Sequence, residues 1–205
     1  MIKVTLLGDS IRMLGYGKLV PKLLGEQYEV YQPDDNCRFA KYTLRGLFDW
    51  KQDMAGSRIV HWNNGLWDVC EYFGDGLFTD EDEYVKTMLR IADILVSRYD
   101  KVIFATTTPV KEKYAHITNA NIEKYNSIIV PLLEEKGIVI NDLHSIVSEN
   151  VERYIRSDDN IHLTDEGIEV CAKQVAGIIQ NVAMTLGNSR QSDYAVNVDK
   201  TGFPT

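Results

Sequence analysis

Long apolar runs, basic charge and cysteine are all in short supply in this sequence. No apolar run approaches the roughly 18 residues that a membrane-spanning helix needs. Lys and Arg number 22 against 30 Asp and Glu, which gives a formal net charge of −8. That balance argues against nucleic acid and against anionic membrane surfaces as principal partners. The chain also enters its first predicted strand almost at once, so we expect no signal peptide.

The three cysteines, Cys37, Cys70 and Cys171, form no close pair and no metal-binding spacing. We therefore expect no disulfide framework and infer a reducing, cytoplasmic setting. The four histidines are scattered along the chain and predict no metal site. No metal and no other cofactor is expected.

What the sequence does contain is a regular alternation of short apolar runs with longer segments of helical periodicity. With 205 residues, 44% of them apolar, the chain suits one domain. The alternation predicts an α/β fold whose parallel sheet is covered by helices on both faces. The predicted domain is 1–186, and 187–205 is predicted to be a surface or mobile extension. The predicted strands lie near 2–7, 28–31, 59–62, 101–106 and 137–140, and the predicted helices near 16–24, 38–54, 80–99, 118–136, 143–155 and 164–186.

A serine follows the first predicted strand directly. Gly8 permits a sharp turn after the strand, and Asp9 and Ser10 follow it. The carboxyl end of a central parallel strand is where α/β proteins usually place their chemistry. A helix cap is the simpler use of Asp9 or Ser10. The choice between the two depends on what else reaches this edge of the sheet.

Two further polar segments are expected at the same edge. Asn63 and Asn64 follow the third predicted strand, and a loop at 158–162 precedes the last helix. Because parallel strands of one sheet end at a common edge, these segments can converge on Ser10.

The residue types in these segments are those that ester hydrolysis requires. Ser10 can serve as nucleophile and His162 as its base. Asp159, three residues before the histidine, can orient the imidazole, with Asp158 as the alternative. The Ser10 N–H and the Asn64 side chain can donate hydrogen bonds to the oxyanion. Asn64 can instead shape the turn before Gly65, which leaves Asn63 as the alternative donor.

Taken together, the motifs resemble those of the SGNH, or GDSL, hydrolase family. The resemblance covers about residues 4–180 and rests on Gly8-Asp9-Ser10, on an asparagine after the third strand, and on Asp159-x-x-His162. It implies a flavodoxin-like three-layer αβα sandwich around a mostly parallel five-stranded sheet. It also implies that Ser10, His162 and Asp159 form the catalytic triad.

Two segments depart from the pattern of that family. The usual Gly-x-Asn-Asp motif is replaced by Trp62-Asn63-Asn64-Gly65, and Trp67 stands where related members have histidine. The family's glycine donor after the second strand is also missing. The backbone N–H of Ala40, or that of Lys41, takes its place in the expected oxyanion hole. Asp9, Asn63 and Trp67 are the expected substrate-binding residues.

The function predicted from these observations is a serine esterase that removes small acyl groups. The favoured substrate is an acylated carbohydrate, with no nucleic-acid or membrane partner. A thioesterase or lysophospholipase of the same family is the first alternative. A ligand-binding sandwich without catalysis is an alternative of another class, and a flavodoxin-like nucleotide or FMN binder is a third, which the lack of a glycine-rich loop disfavours.

Overall fold

A computed structural model describes residues 1–187, so nearly all of the predicted 187–205 extension lies outside the described residues. Within that part, five strands form one sheet in the order β2-β1-β3-β4-β5, and every neighbouring pair is parallel. The strands are β1 Ile2–Leu7, β2 Tyr28–Tyr31, β3 Ile59–Trp62, β4 Lys101–Ala105 and β5 Val139–Asn141. All five predicted strands are present, with shifts of one or two residues at some ends.

The central strands are apolar because helices cover both of their faces. All four residues of β3 are buried, as are the last four residues of β1 and of β4. The register pairs Val4 with Ile59 and Leu7 with Trp62. Near-continuous apolar runs of this kind are typical of parallel strands in a three-layer fold. The structure therefore confirms the predicted α/β sandwich.

Helices form the two outer layers of the sandwich. The short α1 packs on the long α7 on one side, together with α5 and α6, while α2, α3 and α4 pack in sequence on the other. Among residues 1–187 no helix is long and apolar enough to cross a bilayer. The helices are α1 Val20–Leu24, α2 Ala40–Asp49, α3 Glu81–Arg98, α4 Asn119–Glu134, α5 Leu143–Ser148, α6 Val151–Tyr154 and α7 Asp165–Ala183.

Side-chain caps mark the starts of the three longest helices. Asp80, Thr118 and Thr164 each accept a hydrogen bond from the backbone N–H three residues later. Such caps satisfy N–H groups that have no partner inside the helix. A proline inside a helix can break or bend it, and α4 continues through Pro131 to Glu134 without a break.

Other helix expectations need correction near their ends. The predicted helix at 143–155 is two helices, because the Asn150 side chain caps a new start at Val151. The predicted helix at 16–24 is preceded by a π-helical turn at Ile11–Gly15, which begins directly after Ser10. The predicted helix at 38–54 is regular only over Ala40–Asp49.

The strand order places a topological switch point between β1 and β3. From β1 the chain leaves toward β2 on one side, and later returns to build β3, β4 and β5 on the other. Open parallel sheets bind ligands outside the carboxyl ends of the strands at such a point. Ser10 and Asn64 follow the two strands that flank it.

Candidate active site

Tight packing fixes the turn that carries Ser10. A Cβ atom at Gly8 would lie 1.9 Å from Asn63 Oδ1, so only glycine fits between the ends of β1 and β3. The Gly8 carbonyl accepts hydrogen bonds from the Cys37 N–H and from the guanidinium of Arg12. The chain then enters the π-helical turn, with Ser10 at its first boundary. These contacts hold the serine at the edge of the sheet.

Ser10, His162 and Asp159 form a continuous chain of hydrogen bonds. Ser10 Oγ lies 2.9 Å from His162 Nε2, and His162 Nδ1 lies 2.9 Å from Asp159 Oδ2. The serine and the histidine are 152 positions apart in sequence. A base within hydrogen-bond distance of the nucleophile, with an orienting group behind it, is the arrangement that activates serine.

The loop before α7 orients the Asp159 carboxylate through its own backbone. Asp159 Oδ1 accepts hydrogen bonds from the N–H groups of Ile161 and His162, at 3.0 and 2.9 Å. Burial by itself raises the pKa of Asp159, but these two N–H groups and the His162 ring outweigh it and lower the pKa to about 2. The Asp159 carboxylate is therefore charged at neutral pH and can accept a hydrogen bond from His162 Nδ1.

Asp158 faces a different partner. Its carboxylate pairs with the Arg156 guanidinium, and the hydrogen bond from Arg156 lowers the pKa of Asp158. Of the two aspartates that the sequence offers, Asp159 is the one in contact with the histidine ring.

After the end of β3, the Asn64 side chain is held between two partners. Its Oδ1 accepts from Trp62 Nε1 at 2.7 Å, and its Nδ2 donates to the Arg38 carbonyl at 2.9 Å. The side chain is fully buried. Since an amide nitrogen carries two hydrogens, one N–H remains for another acceptor.

The Ala40 N–H is already in use, contrary to its expected place in the oxyanion hole. It donates to both carboxylate oxygens of Asp68, each at 3.1 Å, at the start of α2. Burial raises the pKa of Asp68 to about 7, with the Ala40 N–H opposing the shift. Among residues 1–187, the next N–H, that of Lys41, meets no hydrogen-bond acceptor. Of the two N–H groups that the sequence left open for this role, that of Lys41 is therefore the one without an acceptor.

Asp9 and Asn63, two of the expected substrate-binding residues, lie inside the protein. Asp9 is fully buried and Asn63 is 5% exposed, so neither offers a surface to a substrate. Burial raises the pKa of Asp9, and its Oδ1 accepts a hydrogen bond from the Ile11 N–H. Asn63 Oδ1 accepts a hydrogen bond from the Tyr16 hydroxyl at 2.9 Å. Both side chains support the turn beneath Ser10. Trp67, the third, is half-buried and does not line the cavity beside Ser10.

A second histidine near the sheet edge takes no part in this arrangement. His61 is fully buried on β3, and its Nε2 lies 3.0 Å from Asn141 Nδ2. Burial lowers its pKa to about 3, so the ring is neutral.

One supporting residue has no signal in the sequence. Lys111 follows β4, and its side chain is 5% exposed. Its Nζ lies 2.8 Å from Ser157 Oγ and 3.0 Å from Glu152 Oε2, while its backbone N–H donates to the Asn160 carbonyl. Lys111 thus ties the β4–α4 connection to the loop that carries Asp159. Only the fold brings these positions together.

A cavity of about 370 Å³ opens beside the serine and the histidine. One wall comes from the π-helical turn and the residues after it, and the other from the loop before α7 and the first turn of α7. The lining residues are Ser10, Ile11, Leu14, Gly15, Lys18, Arg156, His162, Leu163, Thr164, Asp165 and Ile168.

Comparison with solved structures identifies the fold. A lipase/acylhydrolase from Enterococcus faecalis superposes with a TM-score of 0.75 at 15% identity, over 89% of this chain and 97% of that one. The acetylxylan esterase Axe2 from Geobacillus stearothermophilus gives a TM-score of 0.71 at 15% identity, over 92% and 97%. A GDSL-like lipase from Bacteroides thetaiotaomicron gives 0.66 at 18% identity, over 88% of each chain.

These likenesses define the class of fold. The protein has the three-layer α/β fold of the SGNH, or GDSL-type, hydrolases, as its sequence motifs predicted. No family model and no curated protein sequence matches the chain.

Proposed function

We propose that this protein is a serine esterase with Ser10 as nucleophile, His162 as general base and acid, and Asp159 as the group that orients the histidine. The observation that carries the proposal is the unbroken Ser10–His162–Asp159 chain, with both contacts to the imidazole at 2.9 Å. Its position at the switch point of a GDSL-type fold supports the same conclusion.

Acylation begins when Ser10 Oγ attacks the ester carbonyl carbon. His162 Nε2 takes the hydroxyl proton, and Asp159 stabilises the imidazolium through its contact with Nδ1. When the tetrahedral intermediate collapses, the carbon–alkoxy bond breaks and His162 Nε2 gives the proton to the departing alcohol. Water then repeats the sequence on the acyl-serine, which releases the carboxylic acid and restores Ser10.

The negative charge of the tetrahedral intermediate requires hydrogen-bond donors. We assign this role to the Ser10 N–H, the remaining Asn64 amide N–H and the Lys41 N–H. Asn64 is linked to the loop before α2 by its bond to the Arg38 carbonyl, so a donor from this loop is close to it. Donors fixed before the reaction stabilise the charge without reorganisation.

An acylated carbohydrate is the substrate class that we favour. Several solved structures with this fold are described as acetylxylan or carbohydrate esterases. The cavity beside Ser10 carries Lys18, Arg156 and Asp165, which suit a hydroxyl-rich substrate better than a lipid chain. The three cysteines are buried and free, which supports a reducing cytoplasmic setting.

The test compares Ser10→Ala with the unmodified enzyme on p-nitrophenyl esters of increasing acyl length and on acetylated oligosaccharides. We expect the substitution to lower kcat by several orders of magnitude, because the acyl-enzyme cannot form. Ser97→Ala, at an exposed position on α3, is the matched control. Full activity in Ser10→Ala would refute the proposal, and a preference for long acyl chains would favour a lysophospholipase.

A further inference from the structure

The residues that line the cavity beside Ser10 show on which side of the nucleophile it lies. It is lined by the serine and the histidine, and by the three residues that follow the histidine, Leu163, Thr164 and Asp165. None of the proposed oxyanion donors other than Ser10 lines it: Asn64 and the loop before α2 lie elsewhere. The cavity therefore extends from the histidine side of the nucleophile.

Proton transfer decides which half of an ester occupies that side. His162 Nε2 must come within hydrogen-bond distance of the alkoxy oxygen to protonate it as the bond to carbon breaks. The alcohol half of the substrate must then lie against His162. The carbonyl oxygen points toward the oxyanion donors, and the acyl substituent takes the remaining direction.

We propose that this cavity binds the alcohol half of the ester, and that the alcohol is polyhydroxylated and of the size of a sugar ring. The inference rests on the proposed function and adds the assignment of a subsite and its residues.

The chemical character of the lining supports a sugar-like ligand. Four apolar side chains, Ile11, Leu14, Leu163 and Ile168, supply surface for the C–H groups of a ring. Lys18, Arg156 and Asp165 supply donors and an acceptor for hydroxyl groups. An aliphatic alcohol would cover Lys18 and Asp165 without offering them hydrogen-bond partners, which costs free energy on binding.

The charged residues differ in how far they are already engaged. Arg156 holds Asp158 through Nε and Nη2 and lies 3.7 Å from Asp159. Lys18 is exposed, and among residues 1–187 its ammonium meets no acidic partner and no other hydrogen-bond acceptor. Lys18 is thus the charged group with the most capacity to bind a ligand hydroxyl.

Two substitutions test the assignment, each with a matched control outside the cavity. Leu14→Trp reduces the space, and Leu14 is 45% exposed, so the fold can accept the larger ring. Its control is Leu23→Trp, at an exposed site on α1. Lys18→Met removes the free ammonium, and its control is Lys22→Met, also exposed and on α1.

The measurement separates acylation from deacylation by stopped-flow kinetics on acetyl esters of alcohols of increasing size. All of these esters form the same acetyl-enzyme, so deacylation does not depend on the alcohol. We expect Leu14→Trp to lower kcat/KM for acetylated sugars by about tenfold or more. The loss should grow with alcohol size, while the deacylation rate and the acyl-length preference stay as in the unmodified enzyme. Lys18→Met should raise KM for acetylated sugars more than for p-nitrophenyl acetate.

Some results would contradict only the subsite assignment, and one would also contradict the proposed function. If Leu14→Trp shifts the acyl-length preference or slows deacylation, the cavity holds the acyl group and the assignment is wrong. An equal loss with every alcohol, or equal effects in the two control variants, also overturns it. If the unmodified enzyme shows no Ser10-dependent hydrolysis, the proposed function itself fails and the subsite assignment fails with it.

Discussion

At the scale of single residues, the two carboxylate oxygens of Asp159 have different hydrogen-bond partners. One oxygen accepts two backbone N–H groups, and the other faces His162 Nδ1. In Asp159→Asn an amide can no longer satisfy both sets of donors, and the imidazole loses its acceptor. Because the pKa of Asp159 is about 2, its charge is constant above about pH 4, so the pH dependence of activity above this value does not come from Asp159.

The first prediction concerns the histidine and its partner. Asp159→Asn should lower kcat by up to about 10⁴-fold, because the histidine loses its orienting partner and takes the wrong tautomer. His162→Ala should be about as damaging as Ser10→Ala, and the double variant should be little worse than either single one. Steady-state kcat and melting temperature, measured on the same preparations, check this. Asp158→Asn is the control, and damage equal to that of Asp159→Asn would refute the assignment.

The second prediction concerns the two asparagines after β3. Asn64→Ala should lower kcat by about 10²–10³-fold, or roughly 2.7–4 kcal/mol of transition-state stabilisation, with little change in KM. Asn63→Ala should instead reduce stability by about 1 kcal/mol, because the Tyr16 hydroxyl loses its acceptor, and keep kcat in the folded fraction. Paired measurements of kcat and melting temperature distinguish them. The reverse pattern would move the oxyanion role to Asn63.

At the scale of elements, a carboxylate from the β3–α3 connection caps α2. Asp68 accepts the Ala40 N–H with both oxygens, and burial raises its pKa to about 7. In the unfolded chain the group titrates near 4. Between these values the folded state holds a proton that the unfolded state has lost. The contribution of Asp68 to the free energy of unfolding is therefore greatest at low pH, and it is lost as the pH rises from about 4 through about 7.

The third prediction follows from this loss of stability with rising pH. Asp68→Asn removes the titration, so the free energy of unfolding should fall less between pH 5 and pH 8 in the variant than in the unmodified protein. By pH 8 the fall in the free energy of unfolding should be smaller in the variant than in the unmodified protein by about 1–4 kcal/mol. Urea unfolding at the two pH values measures it, with Asp75→Asn, in an exposed loop, as the control. An unchanged slope in Asp68→Asn would show that Asp68 titrates as an exposed carboxyl does.

The fourth prediction concerns the connection that Lys111 makes to the loop that carries Asp159. Lys111→Met leaves the hydroxyl of Ser157 without the ammonium and should cost about 1–3 kcal/mol of stability. It should also lower kcat more than it raises KM for small esters, because the loop that carries Asp159 loses a tether. In an Asp159→Asn background the effect on kcat should largely disappear. The exposed Lys113→Met is the control, and an effect on melting temperature alone would reduce Lys111 to a structural role.

At the scale of the whole molecule, the strands could be predicted because their periodicity is local. β1, β3 and β4 are short apolar runs bounded by turn residues, and they appear where the pattern placed them. The Ser10–His162–Asp159 grouping followed from a rule about parallel sheets and from the family resemblance. Neither requires knowledge of any particular contact.

What could not be predicted depends on contacts between distant positions. Ala40 lies 28 positions from Asp68, and Lys111 lies 46 positions from Ser157, and neither pair leaves a sequence pattern. The π-helical turn after Ser10 has no apolar periodicity that would reveal it. The new start at Val151 did have a signal, an asparagine that caps it, but the apolar pattern continued across the break. Residues 188–205 lie outside the described residues, so their prediction as an extension stays a prediction.

The central claim is that Ser10 attacks the acyl carbon with His162 as its base, and covalent labelling tests it most directly. The full-length protein is treated with a serine-reactive phosphonate, and the adduct is located by intact and peptide mass spectrometry. We predict one phosphonyl group per chain, on Ser10, with labelling abolished in Ser10→Ala and greatly slowed in His162→Ala. A label on another residue, or no label on Ser10 in a preparation that hydrolyses esters, would contradict the account.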